Sequence, residues 1–207
     1  MLALFVVWTW LVQFVDVRPV GPLGTDIGFA EVNVWFHELT GVHIRLYTAT
    51  DWLGLVPVFV CLLFGAVGMV QLVKRKSLRK VDLDLILLGL YYLVVVLYYL
   101  VFEQFPVNYR PILIEGRVEA SYPSSTTLLV LSVMPTLAFQ IQRRWNRRKG
   151  KTLISLMAIL FAVFMVFGRL ISGVHWLTDI IGAVLLSAGL FYVYVSAVYL
   201  LEGEKNG

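Results

Sequence analysis

The sequence predicts an all-α integral membrane protein: a single polytopic domain, residues 1–207, built as a bundle of about six membrane-spanning helices. Apolar residues make up 59% of the 207 positions and charged residues only 14%, and the mean hydropathy is +0.83. These values exceed those of a typical soluble domain. Long apolar runs recur along the chain, and basic residues cluster between them. Water is therefore not the main solvent of this chain.

Six apolar runs are candidates for membrane-spanning helices, because a helix needs about 20 mostly apolar residues to cross a bilayer of roughly 30 Å. They are Leu2–Val15, Trp52–Val73, Leu85–Phe102, Ser125–Ile141, Thr152–Gly168 and Leu177–Leu201. The first run is short, and a signal peptide is its alternative interpretation. It has no basic segment ahead of it and no small-x-small cleavage site before Asp16. We therefore expect a retained span.

Two clusters hold most of the Lys and Arg residues, one after the second run (residues 74–80) and one after the fourth (residues 143–151). Positive charge favours the cytoplasmic side of a membrane. The two loops, the amino terminus and the tail (residues 202–207) are thus expected in the cytoplasm, and the loops outside are 16–51, 103–124 and 169–176. Binding of anionic lipid headgroups is an alternative use of the clusters. No nucleic-acid partner is expected, because the basic residues do not follow one face.

Three ionisable residues, Arg169, His175 and Asp179, stand at the outer end of the last two spans with the spacing R-x5-H-x3-D. Charged groups at membrane depth are costly and are functional candidates by default. His175 and Asp179 are four residues apart, which on a helix lets the carboxylate orient the imidazole and leaves one ring nitrogen free. Arg169 supplies a planar fork suited to phosphate. The alternative is a structural His–Asp pair with an anchoring arginine.

A second polar group lies in the preceding outer loop. Arg110 stands before Pro111, which favours an extended backbone. Further on, hydroxyl side chains introduce the fourth span, and a helix start of this kind can bind an oxyanion. The residues are Pro123, Ser124, Ser125, Thr126 and Thr127. Ordinary helix capping is the alternative explanation of these hydroxyls.

Taken together, the two groups resemble the type 2 phosphatidic acid phosphatase superfamily, whose motifs read K-x6-R-P, P-S-G-H and S-R-x5-H-x3-D. The third motif matches at Arg169, His175 and Asp179, with Gly168 in place of its leading Ser. The second motif keeps Pro123 and Ser124, and the first keeps Arg110 and Pro111. The resemblance extends from the third span to the sixth.

The resemblance implies a multi-pass cell-membrane enzyme that removes phosphate from a lipid phosphate or polyprenyl diphosphate at the extracytoplasmic face. His175 would attack phosphorus to give a phosphohistidine, Asp179 would orient it, and the phosphate-binding residues would be Arg110, Ser124, Ser125 and Arg169. No metal or other cofactor is implied, and the sequence has no H-E-x-x-H motif and only one cysteine, Cys61. The alternative function is a non-catalytic binder or carrier of lipid phosphates.

The chain departs from the family motifs at two places. Glu103 stands where the first motif has Lys, and Pro-Ser-Gly-His has become Pro-Ser-Ser-Thr, ending at Thr126. The missing His is the family's general acid, which a Thr hydroxyl cannot replace. Glu103 is interpreted as an interfacial carboxylate paired with Arg110 or Arg117; the alternative is an acid that replaces the His. Without that acid, diphosphates are expected to be better substrates than monoesters.

Overall fold

The structure, a computed structural model, describes residues 1–206, with side chains described as far as Leu201. Within this part of the chain the regular structure is helical, and no β-strand is present. The helices are α1 (Leu2–Phe14), α2 (Ala30–Thr40), α3 (Ile44–Leu53), α4 (Leu55–Arg75), α5 (Leu83–Gln104), α6 (Ser125–Arg144), α7 (Arg148–Ile171) and α8 (Leu177–Asn206). The predicted all-α membrane bundle is confirmed.

Among the residues that the structure describes, five helical segments are long and apolar enough to cross a membrane: Ile44–Arg75, Leu83–Gln104, Ser125–Arg144, Arg148–Ile171 and Leu177–Leu201. Helix α1 is apolar but has only 13 residues, fewer than the roughly 20 that a full crossing needs. It is nevertheless part of the bundle. Trp8 donates a hydrogen bond to the Thr178 carbonyl (3.2 Å), and Thr9 is hydrogen-bonded to the Tyr122 hydroxyl (2.7 Å).

The segment 16–51, which was expected to be a loop, contains two helices, α2 and α3. Helix α3 runs into α4 almost without interruption, because Gly54 between them keeps right-handed helical backbone angles. The second predicted span begins only at Trp52, because the helical turns before it carry polar side chains such as Thr50 and Asp51. Thr50 is buried, whereas more than half of the Asp51 side chain is exposed, so the polar side chains of these turns lie partly in the protein interior and partly at its surface. The second span is therefore longer than predicted.

Helix α6 lies at the centre of the bundle and is the most buried of the five long segments. One core cluster joins α1, α5, α6 and α8 through residues such as Leu88, Leu128 and Leu186. A second cluster joins α6 to α7 through Val130 and Met165. The outward faces carry exposed apolar side chains, as expected of helices in contact with lipid.

An ionic cluster ties α4, α5 and α6 together at the end of the bundle that carries the basic loops. Arg144 contacts Asp84 at 2.5 Å and Asp82 at 2.8 Å, and Arg75 contacts Asp82 at 2.8 Å. The hydrogen bond from Arg144 holds the pKa of Asp82 well below its usual value. Some basic residues of these loops therefore hold helices together through ion pairs. The basic loops lie at the end of the bundle opposite the candidate site.

Candidate active site

His175 lies in the short connection between α7 and α8 and is almost fully buried, with 3% of its surface exposed. The chain turns sharply before it at Gly173, whose φ is +69°. A Cβ at Gly173 would lie 2.0 Å from the Gly41 carbonyl oxygen, so the turn requires glycine on both conformational and steric grounds. His175 therefore precedes α8 rather than lying on it, a correction to the expectation that it shares one helical face with Asp179.

Asp179 lies in the first turn of α8 and is fully buried. Its carboxylate accepts hydrogen bonds from the Ser121 hydroxyl (2.5 Å), the Trp176 backbone N–H (2.9 Å) and the Asn108 side-chain amide (3.3 Å). The bond from Trp176 caps the start of the helix, as in a capping box. The carboxylate comes within 3.8 Å of His175 Nδ1, too far for a direct hydrogen bond.

Arg169, at the end of α7, is 1% exposed and points to His175: its Nη2 lies 3.4 Å from Nε2 of the imidazole. Helix α3 holds the guanidinium from the other side. Thr50 Oγ1 and Asp51 Oδ1 lie 3.4 and 3.6 Å from Nη1, and the centroid of the Tyr47 ring is 4.8 Å from Cζ. These three α3 residues share one face, because they are spaced i, i+3 and i+4.

Arg110 is the second buried guanidinium of the site. Its Nε forms an ion pair with Glu119 Oε2 at 3.1 Å, and its Cζ lies 5.7 Å from the centroid of the Tyr47 ring. Tyr47 thus contacts both arginines. Among the described residues, Nη1 of Arg110 and Nε of Arg169 have no hydrogen-bond partner. Buried donors are rarely left unpaired, so these groups are available to an anion.

A cavity of about 300 Å³ is open to Arg110 and His175, whereas Arg169 contacts His175 but is not among the residues that line the cavity. Among its lining residues are Arg110, Ser121, Ser125 and His175, together with the carboxylates Glu103 and Glu119. Ser125 therefore faces the place where phosphate would lie. Ser124 is fully buried, and its hydroxyl donates to Thr127 Oγ1 at 3.0 Å. Phosphate binding by Ser124 stays a prediction that this arrangement does not favour.

The expected ion pair of Glu103 with Arg110 or Arg117 is not seen. Arg110 is paired with Glu119 instead, and the part of the chain that the structure describes shows no ion pair to Glu103. The side chain of Glu103 is exposed and lines the cavity. Its position leaves the alternative interpretation, an acid close to the phosphate, open to test.

A second, apolar cavity of about 440 Å³ adjoins the first, and the two share Tyr99, Ser125 and Leu128 as lining residues. It lies against α4, α5 and α6 and is also lined by Asp51 and Thr126. Thr126, which occupies the position of the family's general acid, therefore faces the apolar cavity. The polar and apolar cavities together can take a molecule with an anionic head and an apolar tail.

The electrostatic surroundings keep His175 neutral. Burial, and then the positive charges of Arg110 and Arg169, hold the pKa of His175 well below its usual value of 6.5, although a hydrogen bond to the Ser121 backbone opposes the shift. A neutral imidazole has one unprotonated nitrogen, which can attack an electrophile or bind a proton. The site therefore combines an unprotonated imidazole with two cations.

Sequence reasoning missed six residues of this site: Tyr47, Thr50, Asp51, Asn108, Glu119 and Ser121. Tyr47, Thr50 and Asp51 lie in the segment 16–51, which was expected to be a loop. Their helical spacing was the only sign in the sequence that they share one face. Ser121 stands two residues before Pro123, next to a recognised motif but outside it. His37, which lies on α2, packs against Trp176 with ring centroids 5.5 Å apart.

Metal binding was not expected from the sequence. Within the described residues, no group of three or more His, Cys, Asp or Glu side chains is placed to hold a metal ion. The polar side chains that line the cavity carry guanidinium, hydroxyl, imidazole and carboxylate groups. Metal-independent action stays a prediction.

Fold and site together define the class of protein. The family model of the PAP2 superfamily matches residues 81–202, more than half of the chain, and the chain belongs to this superfamily. The match confirms the resemblance drawn from the motifs, and the protein has the PAP2 membrane phosphatase fold.

A solved structure gives the same result. The chain is similar to the first transmembrane PAP2-type phosphatidylglycerolphosphate phosphatase from Bacillus subtilis, with a TM-score of 0.67 and 18% sequence identity. The match covers 94% of this chain and 92% of that chain, so nearly the whole fold is shared. No curated protein sequence matches the chain significantly.

Proposed function

We propose that the protein is a membrane phosphatase that releases phosphate from a lipid phosphate or lipid diphosphate through a phosphohistidine intermediate. The observation that carries the proposal is the position of His175: it lines the cavity, its Nε2 lies 3.4 Å from Arg169, and its surroundings keep it neutral. A site that only bound phosphate would need the arginines but no oriented nucleophile.

In the first step, the lone pair of His175 Nε2 forms a bond to phosphorus, and the bond from phosphorus to the leaving oxygen breaks with its electron pair. In the second step, water attacks phosphorus, the P–N bond breaks, and the ring recovers its lone pair. The water oxygen stays with the released phosphate, and one water proton ends on the leaving group or in solvent. Arg110 and Arg169 stabilise the charge on the transferring oxygens.

The apolar cavity supports a lipid substrate. It shares lining residues with the polar cavity, so a headgroup near His175 would place its tail against α4, α5 and α6. The basic loops at the opposite end of the bundle support an extracytoplasmic site, by the positive-inside rule. Labelling of single cysteines in a Cys61→Ser background tests this orientation. A cysteine at Glu115 should react from outside the cell and one at Asn146 only after permeabilisation; the reverse pattern would contradict the proposed face.

The catalytic proposal is tested by phosphate release from a panel of lipid mono- and diphosphates by purified protein in detergent or bilayer. His175→Ala should abolish release while binding survives. With ³²P-labelled substrate, the unmodified protein should form an acid-labile, base-stable phosphoprotein that His175→Ala does not form. His43→Ala is the matched control, because His43 lies in the α2–α3 connection. Binding by the unmodified protein without release from any substrate would instead support a lipid phosphate binder or carrier.

A further inference from the structure

We propose that Ser121 is a positioning residue: its hydroxyl connects Asp179 to His175 and fixes the imidazole in the tautomer whose Nε2 is unprotonated. The proposal rests on the proposed function of the site and deepens it. Three distances carry it. Ser121 Oγ lies 2.5 Å from Asp179 Oδ2 and 3.1 Å from His175 Nδ1, whereas Asp179 Oδ2 and His175 Nδ1 are 3.8 Å apart.

The direction of the two hydrogen bonds follows from the surroundings of Asp179. Its carboxylate accepts hydrogen bonds from the Trp176 N–H and the Asn108 amide, and the geometry of Ser121 makes its hydroxyl a third donor to the same group. An ionised carboxylate can only accept, so the single Ser121 proton points to Asp179. The Ser121 oxygen then accepts the proton carried by His175 Nδ1. Nε2 is left with its lone pair, on the side of the ring that faces Arg169.

The backbone holds Ser121 in place for this use. The residue is 2% exposed, and its N–H donates to the Asn108 carbonyl at 2.9 Å. Asn108 also donates its side-chain amide to Asp179. Ser121, Asn108 and Asp179 therefore form one buried unit. The hydroxyl has little freedom to leave the gap between the carboxylate and the ring.

The buried unit stabilises His175 while the imidazole becomes positively charged during the attack on phosphorus. When the Nε2–P bond forms, positive charge develops on the ring, and the hydrogen bond from Nδ1–H to Ser121 becomes stronger. The negative charge of Asp179 polarises the Ser121 hydroxyl, which in turn stabilises the positively charged imidazole. No proton is transferred from His175 through Ser121 to Asp179. Ser121 does not touch phosphorus, and its effect falls on the rate of the chemical step rather than on substrate binding.

The kinetic test compares Ser121→Ala with Ser121→Thr, which keeps the hydroxyl. Ser121→Ala should lower kcat by about 10- to 100-fold, the effect expected of a lost hydrogen bond to a developing charge, and leave KM within about threefold. Ser121→Thr should recover part of kcat. Ser132→Ala is the matched control: Ser132 is buried on α6 and its hydroxyl has no hydrogen-bond partner among the described residues.

A second measurement needs no turnover. The chain has three histidines, so ¹⁵N-histidine labelling with His37→Gln and His43→Gln leaves the His175 signals alone. At neutral pH the unmodified site should show the Nδ1–H tautomer, and Ser121→Ala should lose that preference. An Nε2–H tautomer in the unmodified site, or unchanged kcat and tautomer in Ser121→Ala, would overturn the proposal. Absence of phosphate release by the unmodified protein would count against the proposed function alone, since the tautomer remains measurable.

Discussion

Asp51 and Arg169 form an ion pair between α3 and α7, with 3.6 Å between Asp51 Oδ1 and Arg169 Nη1. The arginine is buried, whereas more than half of the Asp51 side chain is exposed. Because Arg169 also contacts His175, the Asp51 carboxylate lies where it would compete with phosphate for the same guanidinium. It also offsets part of the repulsion between Arg169 and Arg110.

The first prediction follows from this competition. Asp51→Asn should tighten inhibition by inorganic phosphate by about fivefold, since a unit charge about 4 Å from another contributes about 1 kcal/mol in water-like surroundings. The measurement is the inhibition constant of phosphate at fixed pH and two salt concentrations. Asp26→Asn, at an exposed position in the segment between α1 and α2, is the control. Weaker phosphate inhibition in Asp51→Asn would show that the carboxylate mainly orients Arg169.

The second prediction concerns Tyr47, whose ring lies against both guanidinium groups. Tyr47→Leu removes this cation–π contact and should lower kcat/KM by about 5- to 30-fold, in keeping with about 1 to 2 kcal/mol for a partly desolvated pair. Tyr47→Phe keeps the ring and should stay within about threefold of the unmodified protein. Equal losses in the two variants would assign the effect to the hydroxyl instead of the ring.

The third prediction is a pH dependence of stability. The pKa of His175 is lowered in the folded protein, so the unfolded chain binds a proton that the folded chain does not as pH falls below about 6.5. The contribution of His175 is therefore fully present above pH 6.5 and is lost on acidification, at up to about 1.4 kcal/mol per pH unit. The apparent Tm of His175→Gln should fall less than that of the unmodified protein between pH 7 and pH 5. His43→Gln should keep the unmodified slope.

The fourth prediction starts from Thr126 in place of a general acid. Diphosphates should be hydrolysed faster than monoesters, because the leaving group of a diphosphate is an alkyl phosphate, which is a stable anion. The leaving group of a monoester is an alkoxide, which needs a proton. A positioned general acid that supplies this proton typically raises the reaction rate by about 100- to 10,000-fold. The measurement is the ratio of kcat/KM for a lipid diphosphate and its matching monophosphate. Thr126→His places an imidazole in the apolar cavity that adjoins the polar one. Where this ring reaches the leaving oxygen, it should raise monoester turnover more than diphosphate turnover. Monoester-favoured rates in the unmodified protein would point to another acid, with Glu103→Gln and Glu119→Gln as the variants to compare.

The sequence predicted the parts of the molecule that depend on local pattern. Apolar runs indicated the five long helices, and the spacing of Arg169, His175 and Asp179 indicated a site at the ends of the last two. Arg110 was placed beside them by its motif, and the structure brings all four residues to one end of the bundle. The membrane fold itself follows from composition, because only helices satisfy the backbone in lipid.

The rest of the site depends on tertiary packing, which a single sequence does not show. Tyr47 and Thr50 reach Arg169 only because α3 continues α4 and packs against α7. Ser121 enters the gap between His175 and Asp179 because its N–H is bound to Asn108. The choice between Ser124 and Ser125 is likewise a matter of orientation: neighbouring residues at a helix start point in different directions, and only Ser125 lines the cavity.

The tight contact at Gly173 offers a route to inhibition that avoids the charged pocket. The backbone between α2 and α3 rests on the turn that carries His175: the Gly41 carbonyl fills the place of a Cβ at Gly173, and the His43 N–H donates to the Ser172 carbonyl at 3.0 Å. An antibody fragment or small molecule that pulled this connection away would release the turn and misplace the imidazole. Such an agent would not have to imitate a phosphate, and so would not need the multiple negative charges that hinder the delivery of phosphate mimics.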